Sequence, residues 1–193
     1  MLADGIIGQN NIGILSMKGC FGMSLIKMKD SDFDFIYSVM EEAFPAEERR
    51  TKDYLKKQIE TENKFSIWLN EEKTSFITIW NFDKFKYIEH FASSSKERGK
   101  GKGAKIIKEV IENAGKPVVL EAEPVQTDMQ KRRIGFYERA GFKVNEPYYF
   151  QPPMQEGLEG VELKILSCPD FLTSDEFENV TKTLHREVYK YND

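Results

Sequence analysis

Residues 96–105 combine positive charge with glycine in a way that suits phosphate binding. Gly99, Gly101 and Gly103 occupy alternate positions, and because glycine has no side chain, the backbone there can approach a ligand closely. The positive side chains of the segment are Lys96, Arg98, Lys100, Lys102 and Lys105. Five positive charges less that of Glu97 leave +4 in the segment, whereas the whole chain carries −4. The sequence therefore predicts a concentrated anion-binding site on an otherwise acidic protein.

The predicted surroundings of this loop favour the same chemistry. A strand at 86–92 precedes it, and an amphipathic helix that Gly115 ends follows it. The apolar face of that helix comprises Ala104, Ile107, Val110, Ile111 and Ala114. The N–H groups of a first helical turn have no partner within the helix, and the helix dipole attracts anions. Each dipole contact contributes only ~0.3–1 kcal/mol at an exposed site, so several N–H groups and the charges must act together on a pyrophosphate. The alternative interpretation is a solvated basic loop without a ligand.

Two common phosphate motifs do not fit these residues. A Walker A loop needs Gly-x-x-x-x-Gly-Lys-Ser/Thr, but the three Gly-Lys pairs are followed by Gly101, Gly103 and Pro117. The dinucleotide fingerprint Gly-x-Gly-x-x-Gly is closer, and Glu121 follows at a suitable distance. Its third glycine would nevertheless stand one position later than Gly103, and too few β-α-β units remain to build a doubly wound sheet.

Periodicity places the other elements on either side of the loop. Before it, short polar breaks separate strands and predict an antiparallel meander. We expect strands at 24–29, 65–69, 76–80 and 86–92, and helices capped by Asp30 or Ser31 and by Thr51. After it, we expect a strand at 118–120, a helix with the capping box Thr127–Gln130, strands at 142–144 and 161–166, and a helix at 174–189. A meander joined to a β-α-β unit predicts a mixed sheet with helices on its faces.

Composition limits the class of protein. The chain has 193 residues, 40 % hydrophobic and 31 % charged, which is typical of one soluble globular domain. Cys20 and Cys168 are too few for a disulfide framework and lack metal-ligand spacing, so we expect a cytoplasmic protein without a metal. No stretch approaches the ~18 apolar residues of a membrane helix. Asp4 stands where a signal peptide is basic, so we do not expect a signal peptide. Because the folded pattern begins at residues 24–26, we predict that residues 1–22 are a disordered or non-native extension of a single domain at 23–193.

Three segments resemble the signatures of one family. Arg98-x-x-Gly101-x-Gly103 is similar to the Gln/Arg-x-x-Gly-x-Gly/Ala motif of the GCN5-related N-acetyltransferases, the GNAT superfamily. Residues 135–142 (Gly-Phe-Tyr-Glu-Arg-Ala-Gly-Phe) resemble its second signature, an aromatic pair followed by a Gly-Phe turn. Residues 42–49 (Glu-Ala-Phe-Pro-Ala-Glu-Glu-Arg) resemble the segment that joins its first two helices. The order of elements agrees across residues 24–166. The resemblance implies an α/β (α+β) protein with three layers, α/β/α, and a mixed, mostly antiparallel central sheet, the acyl-CoA N-acyltransferase fold.

The resemblance also implies where acetyl-CoA would bind. In the family, the strand before the loop splays from its neighbour, and the pantetheine arm of the donor lies in the gap. Main-chain groups of Phe91, Ala92 and Ser93 would hold that arm and polarise the thioester carbonyl; Ser93 replaces the usual aliphatic residue, which matters little for a backbone contact. N–H groups of the loop would hold the pyrophosphate, from Arg98, Gly99, Lys100, Gly101, Lys102, Gly103 and Ala104.

The same resemblance suggests acid–base groups for the transfer. Tyr137 matches the general acid that protonates the coenzyme A thiolate, although its ring could instead serve core packing beside Phe136. An acceptor amine like that of lysine has a pKa of ~10.4, so making it neutral at pH 7 costs about 4.6 kcal/mol. A general base, or a water chain to one, is therefore useful. The candidates are Glu89, which alternates with Tyr87 and Phe91 before the loop, and Glu121, which ends the next strand and is followed by Glu123. Each of these carboxylates could equally be a surface residue.

The implied function is transfer of an acetyl group from acetyl-CoA to an amine by direct attack, in a monomer or homodimer. The main alternative is a non-catalytic acyl-CoA-binding module of the same fold. Nucleic-acid binding is a weaker alternative, because the basic loop has no aromatic residue for base stacking. The sequence does not identify the acceptor. In the family it is shaped by the segment matching 44–50 and by late strands, and the aromatic, proline-rich stretch 147–153 predicts either a wall of that site or cover for a core edge.

Overall fold

A computed structural model describes residues 25–97, 99–155 and 157–191. The predicted extension at 1–22 and Arg98 lie outside the described residues. The strands are β1 Leu25–Lys27, β2 Phe65–Asn70, β3 Ser75–Asn81, β4 Lys86–Ser93, β5 Val118–Ala122, β6 Lys143–Val144, β7 Tyr149–Gln151 and β8 Val161–Cys168. The helices are α1 Phe33–Ala43, α2 Lys52–Thr61, α3 Lys102–Glu112, α4 Asp128–Arg139 and α5 Ser174–Thr183, the last continued by a π-helical turn Leu184–Val188.

The strands form one mixed sheet in the order β1-β2-β3-β4-β5-β8-β6, with β7 also paired to β8. The polar breaks predicted between 65 and 92 are tight connections, and β2, β3 and β4 form the expected antiparallel meander. β4 and β5 pair in parallel, and α3 connects them, as a parallel pair requires. The pairs of β8 with β5, β6 and β7 are antiparallel. The sheet is therefore mixed and mostly antiparallel, as predicted.

Helices cover both faces of the sheet, each over its own apolar cluster. The cluster on one face is built from α1, α2 and α5, with Ile36, Leu55 and Val180 among its buried members. The cluster on the other face is built from α3 and α4, with Ile107 and Ile134 among its members. This arrangement confirms the three-layer α/β/α architecture. Within the described ranges, no helix has both the length and the apolar composition that crossing a bilayer demands.

Side-chain caps set the starts of most helices where the sequence predicts them. Thr127 Oγ1 accepts from the N–H of Gln130 at 3.3 Å, and the Gln130 side chain accepts in return from the Thr127 N–H at 2.8 Å. This reciprocal pair is the capping box expected at the start of α4. Thr51 caps α2 with a single hydrogen bond: its side chain accepts from the Tyr54 N–H at 3.3 Å. The starts of α2 and α4 therefore agree with the capping residues predicted for them.

The start of α1 differs from the prediction. Asp30 and Ser31 do not cap the α-helix, because Asp30–Asp32 form a single 3-10 turn ahead of it. Asp32 accepts from the Lys29 N–H at 3.1 Å, and it also pairs with Lys73 at 2.6 Å. Asp32, rather than Asp30 or Ser31, thus makes the side-chain contacts before α1, and one of them is an ion pair with the distant Lys73.

β4 carries a bulge at Glu89. Thr78 faces His90 across the β3–β4 pair and Ile79 faces Ile88, so Glu89 has no partner on β3. The Tyr87 and Glu89 side chains lie on the α1–α2 face, as alternation requires, and Tyr87 joins the apolar cluster of that face. The extra residue changes the facing of the residues that follow it. Phe91 packs against the opposite cluster instead. The simple alternation of Tyr87, Glu89 and Phe91 expected for a regular strand is therefore wrong past Glu89.

The parallel pair of β4 and β5 is short. Lys86, Tyr87 and Ile88 pair with residues 118–120, and the pairing then stops although β4 continues to Ser93. β5 remains fully paired with β8 on its other side. A gap therefore opens in the sheet between residues 89–93 of β4 and the end of β5.

The stretch 147–153 contains a strand that periodicity did not predict, because β7 is only three residues long. Within β7, the side chains of Tyr149 and Gln151 are buried, whereas Tyr148 just before the strand is 67 % exposed. Pairing with β8 runs from Val161 to Leu163. Tyr149 joins the apolar core, as the core-edge alternative predicts, and its hydroxyl reaches a carboxylate described below. The other alternative, a wall of the acceptor site, stays a prediction.

Candidate active site

The gap between β4 and β5 forms the mouth of a cleft of about 750 Å³, which lies within the range of small-molecule sites. Its lining brings together most of the residues singled out in the sequence. They are Glu89, Phe91, Ala92, Ser93, Gly99, Gly101, Lys102, Gly103, Ala104, Glu121 and Tyr137. Lys100 is not part of this lining; its ammonium group pairs with Glu97 at 3.0 Å. Residues far apart in the sequence thus face a single cavity.

The glycine loop begins α3 with its N–H groups uncapped by any side chain. Gly101 is the N-cap residue, and its φ of 75° is the left-handed conformation that favours glycine. A Cβ at Gly103 would lie 3.0 Å from Cζ of Phe91, so the first turn of α3 packs directly onto β4. The orphan N–H groups of this turn therefore remain available beside the gap.

Acidic side chains neutralise part of the positive charge that the sequence gives the loop. Lys102 pairs with Glu97 at 2.6 Å and also contacts Glu72, and these hydrogen bonds raise the pKa of Lys102. The same lysines lower the pKa of Glu97. The Glu72 carboxylate lies 30 residues upstream and could not be assigned to the loop from spacing. In the described part of the loop, Lys100 and Lys102 are therefore engaged by acidic side chains, whereas no side chain caps the N–H groups at the start of α3.

Tyr137 presents a free hydroxyl to the cleft from α4. Its ring packs edge-on against Phe136 at 5.2 Å and against Phe142 at 5.8 Å between centroids. Burial raises the pKa of Tyr137 to about 12, so the phenol stays protonated at neutral pH. Its hydroxyl makes no hydrogen bond to the described residues. The ring therefore serves packing, as one alternative held, while the O–H remains able to donate a proton into the cleft.

Glu121 is surrounded by tyrosine hydroxyl groups. Tyr189 donates to its Oε2 at 2.5 Å, Tyr87 donates to the same oxygen at 2.7 Å, and Tyr149 donates to Oε1. The Tyr87 and Tyr189 oxygens also lie 3.0 Å apart. We call Glu121 with these three tyrosines the tyrosine–carboxylate cluster. Burial raises the pKa of Glu121, and the three hydrogen bonds oppose part of that rise.

Glu89 has a different environment on the same face. Its side chain is only 2 % exposed, and the buried Arg50 guanidinium lies 3.5 Å from Oε1. Trp80 Nε1 donates to Oε2 at 2.7 Å. Arg50 also donates to the carbonyl oxygens of Val188 at 2.5 Å and Met154 at 3.3 Å. The Glu89 carboxylate is therefore committed to a buried ion pair that joins β4 to the segments before α2 and after α5.

The outer part of the cleft carries charges of both signs, with Arg133 and Arg139 beside Glu48 and Glu123. Glu48, in the segment between α1 and α2, lines it, and burial followed by repulsion from Glu123 raises the pKa of Glu48. Glu123 itself pairs with Arg133 at 2.5 Å. His90 is buried, its pKa is lowered by burial, and its Nε2 contacts the Glu48 carbonyl oxygen at 2.9 Å. His90 therefore holds the α1–α2 segment against β4.

Comparison with known proteins identifies the fold and the family. A sequence profile described as acetyltransferase (GNAT) family matches residues 33–142, more than half of the chain. The chain belongs to the GNAT family. A solved GNAT structure from Bacteroides thetaiotaomicron, a candidate acetyltransferase, shares 31 % identity over 87 % of this chain and 99 % of its own, with a TM-score of 0.82.

Two other proteins resemble the chain more distantly. YjbC of Bacillus subtilis (strain 168), a candidate acetyltransferase, is 27 % identical over 161 residues, which cover 81 % of this chain and 82 % of YjbC. A Bacillus subtilis acetyltransferase solved in complex with CoA shares the fold at 15 % identity and a TM-score of 0.53, covering 78 % of this chain and 98 % of its own. The fold is therefore that of the family, as predicted, and the family membership identifies an acyltransferase.

Sequence reasoning missed three side chains of this GNAT site. Tyr149, Tyr189 and Arg50 stood in no recognised motif, and Tyr189 lies 68 residues from the carboxylate that it contacts. Tyr149 belonged to a stretch whose role was left open. The information that identifies them lies in the tertiary structure. In the sequence, a tyrosine at the end of a helical pattern looks like an ordinary core residue until the partner of its hydroxyl is known.

The buried Arg50–Glu89 pair predicts a large effect on stability. We expect Arg50→Met to lower the free energy of unfolding by about 3–5 kcal/mol, because it leaves the Glu89 carboxylate buried without its cation. Urea unfolding at 25 °C measures the loss. The control is Lys52→Met, which breaks an exposed pair with Asp34 and should cost at most about 1 kcal/mol. A loss for Arg50→Met as small as that of the control would contradict the structural role of the pair.

Proposed function

We propose that this GNAT protein transfers the acetyl group of acetyl-CoA to a primary amine by direct attack. The observation that carries the proposal is the cleft itself: one gap in the sheet is bordered by the uncapped N-terminus of α3, the free hydroxyl of Tyr137 and the carboxylate of Glu121. An anion site, a proton donor and a proton acceptor are the three groups that thioester aminolysis needs.

The donor would bind along β4 and the glycine loop. The N–H groups from Arg98 to Ala104 suit the pyrophosphate, and main-chain groups of Phe91, Ala92 and Ser93 border the gap that suits the pantetheine arm. The close contact of Gly103 with Phe91 supports this assignment, because a larger residue would push α3 away from the gap. The CoA complex of the Bacillus subtilis acetyltransferase with the same fold supports it further.

The transfer is a balanced displacement. The amine nitrogen attacks the thioester carbonyl carbon, the carbon–sulfur bond breaks, and acetylated amine and free coenzyme A result. We assign proton removal from the amine to Glu121, because burial raises its pKa toward neutrality and it lines the cleft. We assign proton delivery to the sulfur to Tyr137, whose hydroxyl is unpaired among the described residues. Glu89, committed to Arg50, is assigned a positioning role.

An acceptor screen tests the proposal directly. Release of free coenzyme A from acetyl-CoA is followed with alkylamines, diamines, amino acids, aminoglycosides and peptide amino termini, each against a reaction without acceptor. We expect at least one amine to raise the rate well above the background and to carry the acetyl group in the mass spectrum. Binding of acetyl-CoA without turnover of any amine would instead favour the non-catalytic module.

The left-handed conformation of the loop predicts a selective effect on donor binding. We expect Gly101→Ala to weaken CoA binding about tenfold, because a left-handed alanine costs about 1–2 kcal/mol and the loop would relax away from its binding geometry. Gly115→Ala is a matched control, since Gly115 has a φ of 67° and open space around it but lies at the other end of α3. Isothermal titration calorimetry measures both variants. Equal CoA affinity in the two variants would contradict the role of the loop.

A further inference from the structure

The tyrosine–carboxylate cluster offers hydrogen-bond acceptors and no free donors. A carboxylate has about four acceptor positions, and a phenol has one proton and two lone pairs. The protons of Tyr149 and Tyr189 go to Glu121, and that of Tyr87 goes to Glu121 or to the Tyr189 oxygen. Burial raises the pKa of Tyr189, so this phenol keeps its proton. Tyr87, Tyr189 and Glu121 line the cleft, so a ligand that reaches this cluster meets lone pairs there rather than donors.

The same cluster carries an unbalanced negative charge. Glu121 forms no ion pair within the described part of the chain, whereas neighbouring Glu89 has Arg50 at 3.5 Å. Arg50 is held by Glu89 and by two main-chain carbonyl groups, so it is not available to Glu121. A partly buried carboxylate without a cation is unfavourable, and a bound cation would relieve that cost.

Other residues that line the cleft near the cluster favour two further features of an acceptor, a hydrocarbon stem and a second positive group. Met154 and Leu163 line the cleft and belong to the same apolar cluster as Tyr149, so they suit a short hydrocarbon stem. Glu48 lies on the outer part of the cleft, where Glu123 is already balanced by Arg133. Glu48 has no ion pair among the described residues and can pair with a second positive group on the acceptor, although Arg133 and Arg139 also line the cleft. A carboxylate close to the bound amine is disfavoured by the Glu121 carboxylate itself.

We propose that the Tyr87 and Tyr189 hydroxyl oxygens and the Glu121 carboxylate form a subsite for the ammonium head of the acceptor, with Tyr149 positioning Glu121 from behind. This subsite selects aliphatic amines that carry no carboxylate near the amine, and diamines above all. An alkylammonium ion supplies three N–H donors and one positive charge, which match the acceptor-only, anionic cluster. The proposal rests on the proposed function for its role in transfer, but the binding preference is a property of the free protein.

Binding measurements without acetyl-CoA test the subsite independently of turnover. Three probes of similar length are titrated at pH 7 by calorimetry and ligand-observed NMR: 1,4-diaminobutane, butylamine and 4-aminobutanoate. We expect the affinity to fall in that order, with 4-aminobutanoate about tenfold or more weaker than the diamine. Binding of 4-aminobutanoate as tight as that of the diamine, or no binding of the diamine at about 10 mM, would overturn the proposal.

Variants locate the preference in the cluster. Tyr189→Phe and Glu121→Gln keep side-chain shape and should weaken diamine binding about tenfold each, since hydrogen bonds to charged groups are the strong ones. Tyr148→Phe makes the same chemical change at a residue 67 % exposed beside Tyr149, and it should bind like wild type. CoA affinity within about twofold of wild type verifies that each variant keeps its cleft. Equal diamine affinity in Tyr189→Phe and Tyr148→Phe would overturn the proposal.

The two proposals fail in different ways. Ordered binding of the probes with no acetyl transfer to any of them would leave the subsite standing and remove the proposed function. Acetyl transfer that is equally fast with 1,4-diaminobutane and 4-aminobutanoate, together with equal binding, would support the proposed function and remove the subsite.

Discussion

Replacing Glu121 by glutamine should lower kcat for acetyl transfer by about 10²-fold or more, the usual contribution of a general base. The amide keeps the size of the side chain and can still accept hydrogen bonds from the tyrosines, but it cannot take a proton. In the wild type, kcat/KM should fall as the pH decreases through the pKa of Glu121, which burial places above its ordinary value. The variant should lack this acid limb, which a pH–rate profile with acetyl-CoA and a diamine records.

Two further variants make the Glu121 prediction decisive. Glu112→Gln removes the same charge at an exposed position at the end of α3, and its pH profile should match that of wild type. Glu89→Gln tests the second carboxylate; we expect it to lower stability through Arg50 while leaving the acid limb in place. An acid limb that disappears with Glu89→Gln and persists with Glu121→Gln would reverse the assignment of the base.

Tyr137→Phe should lower kcat by about 10²-fold while leaving CoA affinity unchanged. Phenylalanine preserves the ring that packs between Phe136 and Phe142, so the loss isolates the proton. Because burial raises the pKa of Tyr137 to about 12, ionisation of this phenol should cause no loss of wild-type activity up to about pH 11. Steady-state kinetics over this pH range checks both statements.

A change of leaving group separates an acid from a packing residue. Acetyl thioesters of more acidic thiols need less protonation as the sulfur departs, so the defect of Tyr137→Phe should shrink with them. Tyr148→Phe is the control at an exposed tyrosine and should behave like wild type with every donor. A defect that stays constant across leaving groups would show that Tyr137 acts through packing alone.

The layout of the fold was predictable because local signals and the global arrangement agree. Capping threonines, the turn glycine after α3 and the change from meander to β-α-β unit each identify an element from a few neighbouring residues. The glycine loop was predictable in part for the same reason, since the left-handed backbone at Gly101 favours glycine, whereas Gly103 is needed because the Phe91 side chain of β4 lies against it. Local patterns of this kind do not depend on which distant residues the fold later brings nearby.

The parts that could not be predicted depend on distant partners. No composition signal distinguishes Glu89 as a bulge, because a one-residue register shift is decided by the pairing with β3. Tyr189 reaches Glu121 only because α5 packs beneath the sheet, and Glu72 neutralises Lys102 only because the β2–β3 turn lies beside the loop. The sequence therefore indicated the donor site well, whereas the composition of the acceptor side emerged from tertiary structure.

The short pairing of β4 with β5 has a mechanical consequence. Three residue pairs, Lys86–Ile88 with Val118–Leu120, connect a half-sheet of β1–β4 to a half-sheet of β5–β8. Load passing between the halves through the backbone is carried by this narrow seam and by the connection through α3. A ligand that lies in the gap and contacts both strands acts as additional rungs between the halves. We therefore expect occupation of the cleft to stiffen the sheet across this seam, in addition to stabilising the folded protein.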